Sequence, residues 1–171
     1  MEKRLFDDFS RALRFFPCFP CVLVTTDENI ITIAMVHIFS FSPPLIGIGV
    51  SPDRYSHSLL KKFKEFVVNI PTKELLEKVS FCGENSGRDI DKFKATGLEK
   101  EKSMKVSAPS IKDCPANLEC KVIKEIETGD HTWFIGKVLS VRVAKDYNKE
   151  EAILYWGGLY RIPGKVIARR H

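Results

Sequence analysis

Two turns in the chain carry residue types that can hold an anion. The first turn, PDRYSH, contains Arg54, Ser56 and His57 and lies just ahead of an apolar helical segment. A guanidinium, a hydroxyl and the unpaired backbone N–H groups of a helix start are common ligands of a phosphate group. Taken alone, this turn is better explained as an ordinary capped loop, with Ser56 as the cap and Arg54 in solvent.

The second turn repeats the same residue types. Ser86, Gly87 and Arg88 come just before a second predicted helix, Asp89–Ala95. Gly87 can approach a ligand closely or adopt a positive φ. This turn also has an ordinary explanation, in which Ser86 caps the helix and Asp89 favours its N-terminus. With two such turns in one domain, a second interpretation becomes equally good: both turns bind a phosphorylated small ligand.

A third polar segment, GDH, opens a predicted strand and contains Asp130 and His131. Histidine titrates near physiological pH, so His131 is a candidate proton donor or orienting group. The simpler interpretation is a hairpin turn that leaves His131 half exposed. No P-loop, Gly-x-Ser-x-Gly elbow or zinc-ligand spacing is present. The sequence therefore predicts neither nucleotide hydrolysis nor acyl transfer.

The cysteines do not form an obvious site. The chain has five, an odd number that excludes complete pairing within one chain. Cys18 and Cys21 have the CxxC spacing of a redox pair or half of a metal site. No second CxxC follows, and Pro17 and Pro20 disturb the geometry of a thioredoxin-type pair. We expect buried apolar side chains and no metal site.

The composition is that of one globular domain spanning residues 1–171. Hydrophobic residues make up 44% of the chain and charged residues 29%. No apolar run approaches the roughly 20 residues that span a bilayer, and the N-terminus MEKRLFDDF lacks the apolar core of a secretion signal. The net charge of +5 is modest and its lysines and arginines are scattered. We therefore expect a cytoplasmic protein without membrane or nucleic-acid partners.

The amino-acid composition also indicates growth at high temperature. The chain has no Gln and many Lys, Glu and Ile residues. Depletion of heat-labile amides with enrichment of Lys and Glu is typical of thermophile proteins.

Apolar periodicity predicts a mainly β fold with inserted helices. Predicted strands are Cys21–Thr26, Ile30–Val36, Leu45–Val50, Phe66–Ile70, Asn117–Ile126, Thr132–Val143 and Ala152–Tyr155. Predicted helices are an N-terminal helix within residues 1–16 (apolar at Leu5, Phe9, Leu13 and Phe16), Ser58–Phe63, Lys73–Phe81 capped by Thr72, and Asp89–Ala95. Residues 96–116 read as a loop with a short strand near 104–107, and residues 161–171 as a tail. Largely antiparallel connections favour a closed or split β-barrel. A Rossmann fold is disfavoured because no GxGxxG follows the first strand.

Five motifs in one order resemble a known family. They are VLVTT, NIITIA, SPPLIGIGVSP-RYSH with EFVVNIP, CG–SGRD–DKF, and GDHTWFIGKV. From about residue 17 to 160, the chain resembles the flavin reductase-like FMN-binding split-barrel proteins, which include flavoredoxin and the archaeal ferric reductase. It departs from the family pattern at Ile31, where Met is frequent, and at Met35, where Trp is common, whereas Thr32 is retained.

The resemblance implies an antiparallel Greek-key split barrel that forms a homodimer, with FMN at the subunit interface. It places the flavin ring along residues 31–36, which include Ile31, Thr32, Ile33, Ala34 and Met35. It places the phosphate near Arg54, Ser56, His57, the turn of Ser86, Gly87 and Arg88, and Lys92. His131 resembles the family's histidine beside the nicotinamide.

The resemblance further implies an oxidoreductase that passes a hydride from NAD(P)H to FMN. The electrons would continue to free flavin, ferric iron or a redox protein partner. The cofactor carries this chemistry, which fits the lack of a side-chain nucleophile. An alternative is a non-enzymatic electron carrier that only holds FMN. A weaker alternative, a relative of pyridoxamine-phosphate oxidase, is disfavoured by the SGRD–DKF and GDH segments.

Overall fold

One seven-stranded antiparallel sheet forms the body of the protein in the computed structural model, which describes residues 1, 3–6, 8–13 and 15–169. In spatial order its strands are β3 (Asn29–Ile33), β2 (Val22–Thr26), β6 (Glu65–Ile70), β9 (Ala116–Thr128), β10 (His131–Val143), β5 (Pro44–Val50) and β4 (Val36–Phe41). Every neighbouring pair in this sheet is antiparallel. The predicted mainly β, antiparallel fold is confirmed.

Two smaller sheets and four helices complete the described structure. A three-stranded sheet has the order β1 (Phe19–Pro20), β11 (Leu154–Trp156) and β12 (Leu159–Arg161), and a two-stranded sheet joins β7 (Lys100–Glu101) to β8 (Ser110–Ile111). The helices are α1 (Phe9–Leu13), α2 (Tyr55–Phe63), α3 (Leu76–Glu84) and α4 (Lys92–Thr96), and single 3-10 turns lie at Lys73–Leu75 and Lys149–Glu151. None of the described helices is long and apolar enough to cross a membrane.

The large sheet curls around a single apolar core. Successive side chains of a strand point to opposite faces, so one face of each strand can contribute to a common interior. The interior cluster takes residues from six strands: Val22, Val24, Ile33, Ile46, Ile48, Val50, Phe66, Val68, Cys120 and Phe134, together with Leu60 of α2. A second cluster, on the opposite face of β2 and β3, packs α3 and α4 against the barrel through Leu23, Ile30, Val79 and Phe93.

The barrel is split between its two edge strands, β3 and β4. The strands follow each other in the chain but do not pair, since a bend at Ala34–Met35 separates them. The strand predicted over Ile30–Val36 is confirmed for residues 30–33 and wrong beyond them, and β4 was not predicted as a strand of its own. Strand β4 lies at the sheet edge, and most of its side chains are exposed. It therefore lacks the alternating pattern by which strands are recognised.

The predicted N-terminal helix is largely wrong. The helix α1 covers only Phe9–Leu13, and the side chains of Leu5, Phe9 and Phe16 are exposed rather than packed. Positions 2, 7 and 14 of that prediction lie outside the described residues. Of its predicted apolar stripe, only Leu13 is partly buried.

Several other boundaries also differ from prediction. Thr72 precedes a 3-10 turn and makes no side-chain cap, and the helix that follows runs on to Glu84. The next helix begins at Lys92 because Asp91 accepts the cap hydrogen bond from the backbone N–H of Lys94. The short strand expected near 104–107 is replaced by β7 and β8. The predicted tail begins within β12, and residues 170 and 171 lie outside the described part.

Candidate functional site

The split in the barrel contains a groove of about 500 Å³. Its walls come from β3, from the bend that follows it, and from the end of β5 with the turn after it. The side chains of His131 and Tyr155 reach it from distant parts of the chain. The lining residues are Ile31, Thr32, Ile33, Ala34, Met35, Gly49, Val50, Ser51, Asp53, Arg54, His131 and Tyr155. A groove of this volume is in the range that holds a small organic ligand. The structure thus places Ile31–Met35, Arg54 and His131 around one groove.

One wall of the groove is the unpaired edge of β3. The backbone oxygen of Ile30 accepts a hydrogen bond from Lys92 Nζ at 2.8 Å, so it faces away from β2. Backbone groups alternate in direction along an antiparallel strand, so the N–H and C=O of Thr32 also face away from β2. Among the described strands, β2 is the only partner of β3. Thr32 therefore offers one backbone donor and one acceptor along the groove.

The side chain of Thr32 contacts α3. Its hydroxyl donates to the backbone oxygen of Val79 in α3 at 2.6 Å, which fixes the helix against β3. Gly83 lies one turn further along α3. A Cβ there would lie 3.3 Å from Thr32 Cβ, so a larger side chain at this position would crowd β3. Close packing of α3 thus holds the groove wall in place.

Met35 crosses β5 at the far end of the groove. The backbone N–H of Gly49 donates to the backbone oxygen of Met35 at 2.8 Å. A Cβ at Gly49 would lie 3.0 Å from Met35 Cβ and 3.1 Å from Met35 Cε. Glycine at this position therefore lets the thioether side chain lie flat against β5 and close one end of the groove.

A smaller pocket of about 80 Å³ adjoins the groove and shares Ile31, Asp53 and Arg54 with it. Its other lining residues come from the two predicted anion-binding turns and from α3 and α4: Tyr55, Ser56, Cys82, Gly83, Asn85, Ser86, Gly87 and Lys92. The start of α2 thus lies beside the turn that precedes α4, and the tertiary structure places the two predicted turns in one pocket.

Gly87 and Arg88 pack the second turn against Asn29 and against Tyr55 of the first turn. A Cβ at Gly87 would overlap the side chain of Asn29, which is buried and donates to Ser56 Oγ, so a larger residue at this position would disturb that bond. The backbone N–H of Arg88 donates to Ser86 Oγ at 3.2 Å. The Arg88 guanidinium lies over the Tyr55 ring, 5.7 Å from its centroid. Arg88 itself lines a neighbouring cavity of about 310 Å³ rather than the smaller pocket.

Lys92 places a buried cation at the base of the smaller pocket. Its side chain is 5% exposed, and Nζ donates to the backbone oxygens of Ile30 and Cys82 at 2.8 and 2.7 Å. Burial is the main cause that lowers the pKa of Lys92, Cys82 opposes the shift, and Arg54 adds to it. An ammonium has three donors, so one remains available. No carboxylate pairs with Lys92 among the residues that the structure describes. An anionic ligand would supply the missing charge.

Ser56 and His57 differ in where their side chains lie. Ser56 is buried, accepts from Asn29 Nδ2 at 2.7 Å and lines the smaller pocket. The N-cap of α2 is Arg54, so the alternative in which Ser56 caps the helix is wrong. The imidazole of His57 points into the barrel, where Nε2 lies 2.9 Å from Thr132 Oγ1. His57 lines neither the groove nor the smaller pocket.

His131 reaches the groove from β10 and is paired with its neighbour. Its Nδ1 lies 2.7 Å from Asp130 Oδ1, and its side chain is 27% exposed. The hydrogen bond from His131 is the main cause that lowers the pKa of Asp130. This bond fixes the orientation of the ring. Nε2 has no hydrogen-bond partner among the described residues, so it is available to a ligand.

Nine lining residues were not among the site residues predicted from the sequence: Gly49, Val50, Ser51, Asp53, Tyr55, Cys82, Gly83, Asn85 and Tyr155. Asp53 lies within the PDRYSH turn, and its position in that motif was a usable signal. Tyr155 lies in β11, far along the chain, and nothing in its local sequence indicated a site. In the CxxC pair, Cys18 is half-buried and Cys21 packs in the second core cluster, where burial raises its pKa to about 12.

Comparison with known proteins gives consistent matches. The family described as "flavin reductase like domain" matches residues 15–163. A protein of Archaeoglobus fulgidus is 50% identical over 113 residues, covering 66% of this chain and 64% of the relative. An NADH-dependent FAD reductase of Streptomyces globisporus is 32% identical over 126 residues, covering 71% and 65%. The chain thus spans slightly less than two thirds of each of these relatives.

Solved structures share the fold. A flavoredoxin from Methanosarcina acetivorans has a TM-score of 0.87 and 23% identity, covering 99% of this chain and 95% of the other. An FMN-binding protein from Thermus thermophilus with bound p-hydroxybenzaldehyde has a TM-score of 0.88 and 23% identity, covering 99% and 100%. At this level of identity the similarity establishes the split-barrel fold alone.

The buried His57 predicts how stability depends on pH. Burial, and then Lys61, lower the pKa of His57 below its ordinary value of about 6.5. Below that value the unfolded chain takes up the proton first, so the free energy of unfolding falls as the pH is lowered through about 6.5 towards the folded pKa. The slope can reach about 1.4 kcal/mol per pH unit. Urea unfolding from pH 8 to 5 measures it.

His57→Gln should remove this component of the slope and keep a hydrogen-bonding group beside Thr132. His37→Gln, on the exposed strand β4, is the matched control and should retain the slope. An identical slope in the wild type and in His57→Gln would contradict the prediction.

Proposed function

The chain belongs to the flavin reductase-like family, and from this premise we propose that the groove and the smaller pocket together bind FMN in an FMN-dependent oxidoreductase. One observation carries the proposal. The unpaired edge of β3 borders a groove that continues, past Ile31 and Arg54, into a pocket containing a buried cation. FMN combines the two matching features, a flat hydrogen-bonding ring and a phosphate.

The ring is proposed to lie along Ile31–Met35. Its pyrimidine portion carries carbonyl oxygens and an N–H group in a row, which complement the backbone donor and acceptor of Thr32. The apolar side chains of this segment, including that of Met35, would exclude water from the ring.

The phosphate is proposed to occupy the smaller pocket. Lys92 and Arg54 would contribute positive charge, and Ser56 a hydroxyl. Ser86 and Gly87 line the pocket beside them, and the start of α2 adds its partial positive charge. Arg88 lies one residue further along this turn and would stabilise the anion from its rim. The imidazole of His57 is left out of this proposal because it lies inside the barrel.

FMN supplies the two-electron chemistry when bound, with NAD(P)H proposed as the donor and free flavin, ferric iron or a redox protein as the acceptor. The chain's own residues position the reactants. The Asp130–His131 pair presents an oriented imidazole to the groove, where it can hold the nicotinamide ring of NAD(P)H beside the flavin. The printed name of the Streptomyces relative, an NADH-dependent FAD reductase, supports this class of reaction. Stopped-flow reduction by NADH or NADPH tests it: a bound flavin that neither reduces would identify an electron carrier instead.

The phosphate site predicts a selective loss of affinity. Arg54→Ala, and separately Arg88→Ala, should weaken FMN binding more than riboflavin binding, because only FMN carries the phosphate. A lost charge-assisted hydrogen bond costs on the order of 2 kcal/mol, or about 30-fold in affinity. Fluorescence titration of the apoprotein measures both ligands.

Lys62→Ala is the matched control for these variants. Lys62 is an exposed cation on α2 that lines neither cavity, so both affinities should be unchanged. Equal losses of FMN and riboflavin in the arginine variants would show that these side chains do not contact the phosphate.

The position of His131 predicts a kinetic effect without loss of flavin. His131→Ala should slow reduction by NAD(P)H by roughly 100-fold, because a misplaced donor ring leaves the reactive geometry. Single-turnover stopped-flow measures the rate, and the visible spectrum measures the flavin content. His37→Ala should leave both unchanged. A normal rate in His131→Ala would identify His131 as an ordinary turn residue.

We also propose that two copies of the chain form a homodimer through the exposed apolar side chains of β4, β9 and β10. The exposed apolar side chains on these strands are Ile38, Phe39, Phe41, Ile123, Ile126, Leu139, Val141 and Val143. A monomer rarely leaves so many large apolar side chains in contact with water. A two-fold contact would cover them on both copies at once.

Light scattering at micromolar concentration should therefore give twice the mass of one chain. Val141→Lys should shift the equilibrium towards the monomer, because it places a charge within the proposed contact. Ile167→Lys, in the exposed C-terminal segment, is the control and should remain dimeric. A wild-type protein with the mass of a single chain would contradict the proposal.

A further inference from the structure

Tyr155 lines the groove and has no role in the proposed function. It lies at the middle of β11, in the three-stranded sheet formed by the two ends of the domain. Its strand neighbours are Phe19 on one side and Tyr160 on the other. Its side chain nevertheless lines the same groove as His131, which comes from a different sheet.

The ring of Tyr155 is held in place by packing. It contacts the second core cluster and lies 4.7 Å from the ring of Tyr160, centroid to centroid. The next residue, Trp156, donates from Nε1 to the backbone oxygen of Leu13 at 2.6 Å, which anchors the strand. A side chain supported in this way has few rotamers available, so its position in the groove is set before a ligand arrives.

The hydroxyl of Tyr155, by contrast, has no partner. It forms no hydrogen bond with any described residue, although the ring is partly buried. Tyrosine hydroxyls in such positions usually find a partner. Other hydroxyls around the site are used: Thr32 donates to Val79, and Ser56 accepts from Asn29. Because Tyr155 lines the groove and its hydroxyl has no acceptor in the described structure, an acceptor on a ligand in the groove can take this hydrogen bond.

We propose that Tyr155 is a ligand-binding residue whose hydroxyl donates a hydrogen bond to an acceptor atom of the flavin ring. The inference rests on the proposed function. A hydride would bring two electrons and one proton to the ring, so the ring would gain one negative charge that its acceptor atoms share. A hydrogen bond to a charged acceptor is stronger than one to a neutral acceptor. Tyr155 therefore favours the reduced form of the ring and raises its midpoint potential.

Tyr155→Phe tests this role because it removes the hydroxyl and keeps the packed ring. Relative to the wild type, we expect the variant to bind oxidised FMN with at most a few-fold loss. The preference for the reduced over the oxidised ring should fall about tenfold, which is about 30 mV for a two-electron couple. Equilibrium titration against a redox dye measures the potential, and fluorescence titration measures the affinity.

Tyr160→Phe is the matched control. Tyr160 packs against the same ring and lines a different cavity, so a purely structural effect of losing a hydroxyl would appear in both variants. A shift in Tyr155→Phe alone supports the inference. Equal potentials in the wild type and Tyr155→Phe, or equal shifts in both variants, overturn it while leaving FMN binding intact. A wild-type protein that binds no FMN overturns the proposed function and this inference together.

Discussion

The unpaired edge of β3 is the constraint on which the site depends. Backbone N–H and C=O groups that are left without partners are costly when they are buried, so the open edge of a sheet must be covered or used. Here Lys92 covers the carbonyl of Ile30, and the bend at Ala34–Met35 carries the chain across to β4. The backbone groups of Thr32 remain between these two points. The groove exists because the barrel does not close there.

The same lysine connects the groove to the smaller pocket. Lys92 Nζ joins β3 to the end of α3, so one buried cation holds the two walls together. It has only neutral acceptors among the described residues, and Arg54 lies close enough to lower its pKa further. A pocket that concentrates positive charge in this way is destabilising without a counter-charge. Ligand binding and the stability of this part of the fold are therefore expected to be coupled.

The strands separate structural side chains from site side chains by alternation. On β10, Thr132 faces the interior and meets His57, whereas the adjacent His131 faces the groove and meets Asp130. Both histidines lie in motifs that indicate a function, yet only one of them reaches the groove. On β5, Ile48 and Val50 fill the core, and Gly49 between them leaves space for Met35.

The sequence by itself determined the strand-rich antiparallel fold and the two turns that carry Arg and Ser, because these depend on local residue type and on apolar periodicity. The run Ile31–Met35 was indicated only by the resemblance to a known family. Only the tertiary structure decided the rest. Strand β4 lies at an edge with little burial, so it has no periodic pattern to detect. The direction of His57 depends on how α2 packs against β10, and the burial of Lys92 depends on how α3 and α4 pack against β3. Tyr155 enters the groove because β11 pairs with β1, more than 130 residues earlier in the chain. Pairing over such a distance is selected by the burial of the whole core and not by residues near either strand.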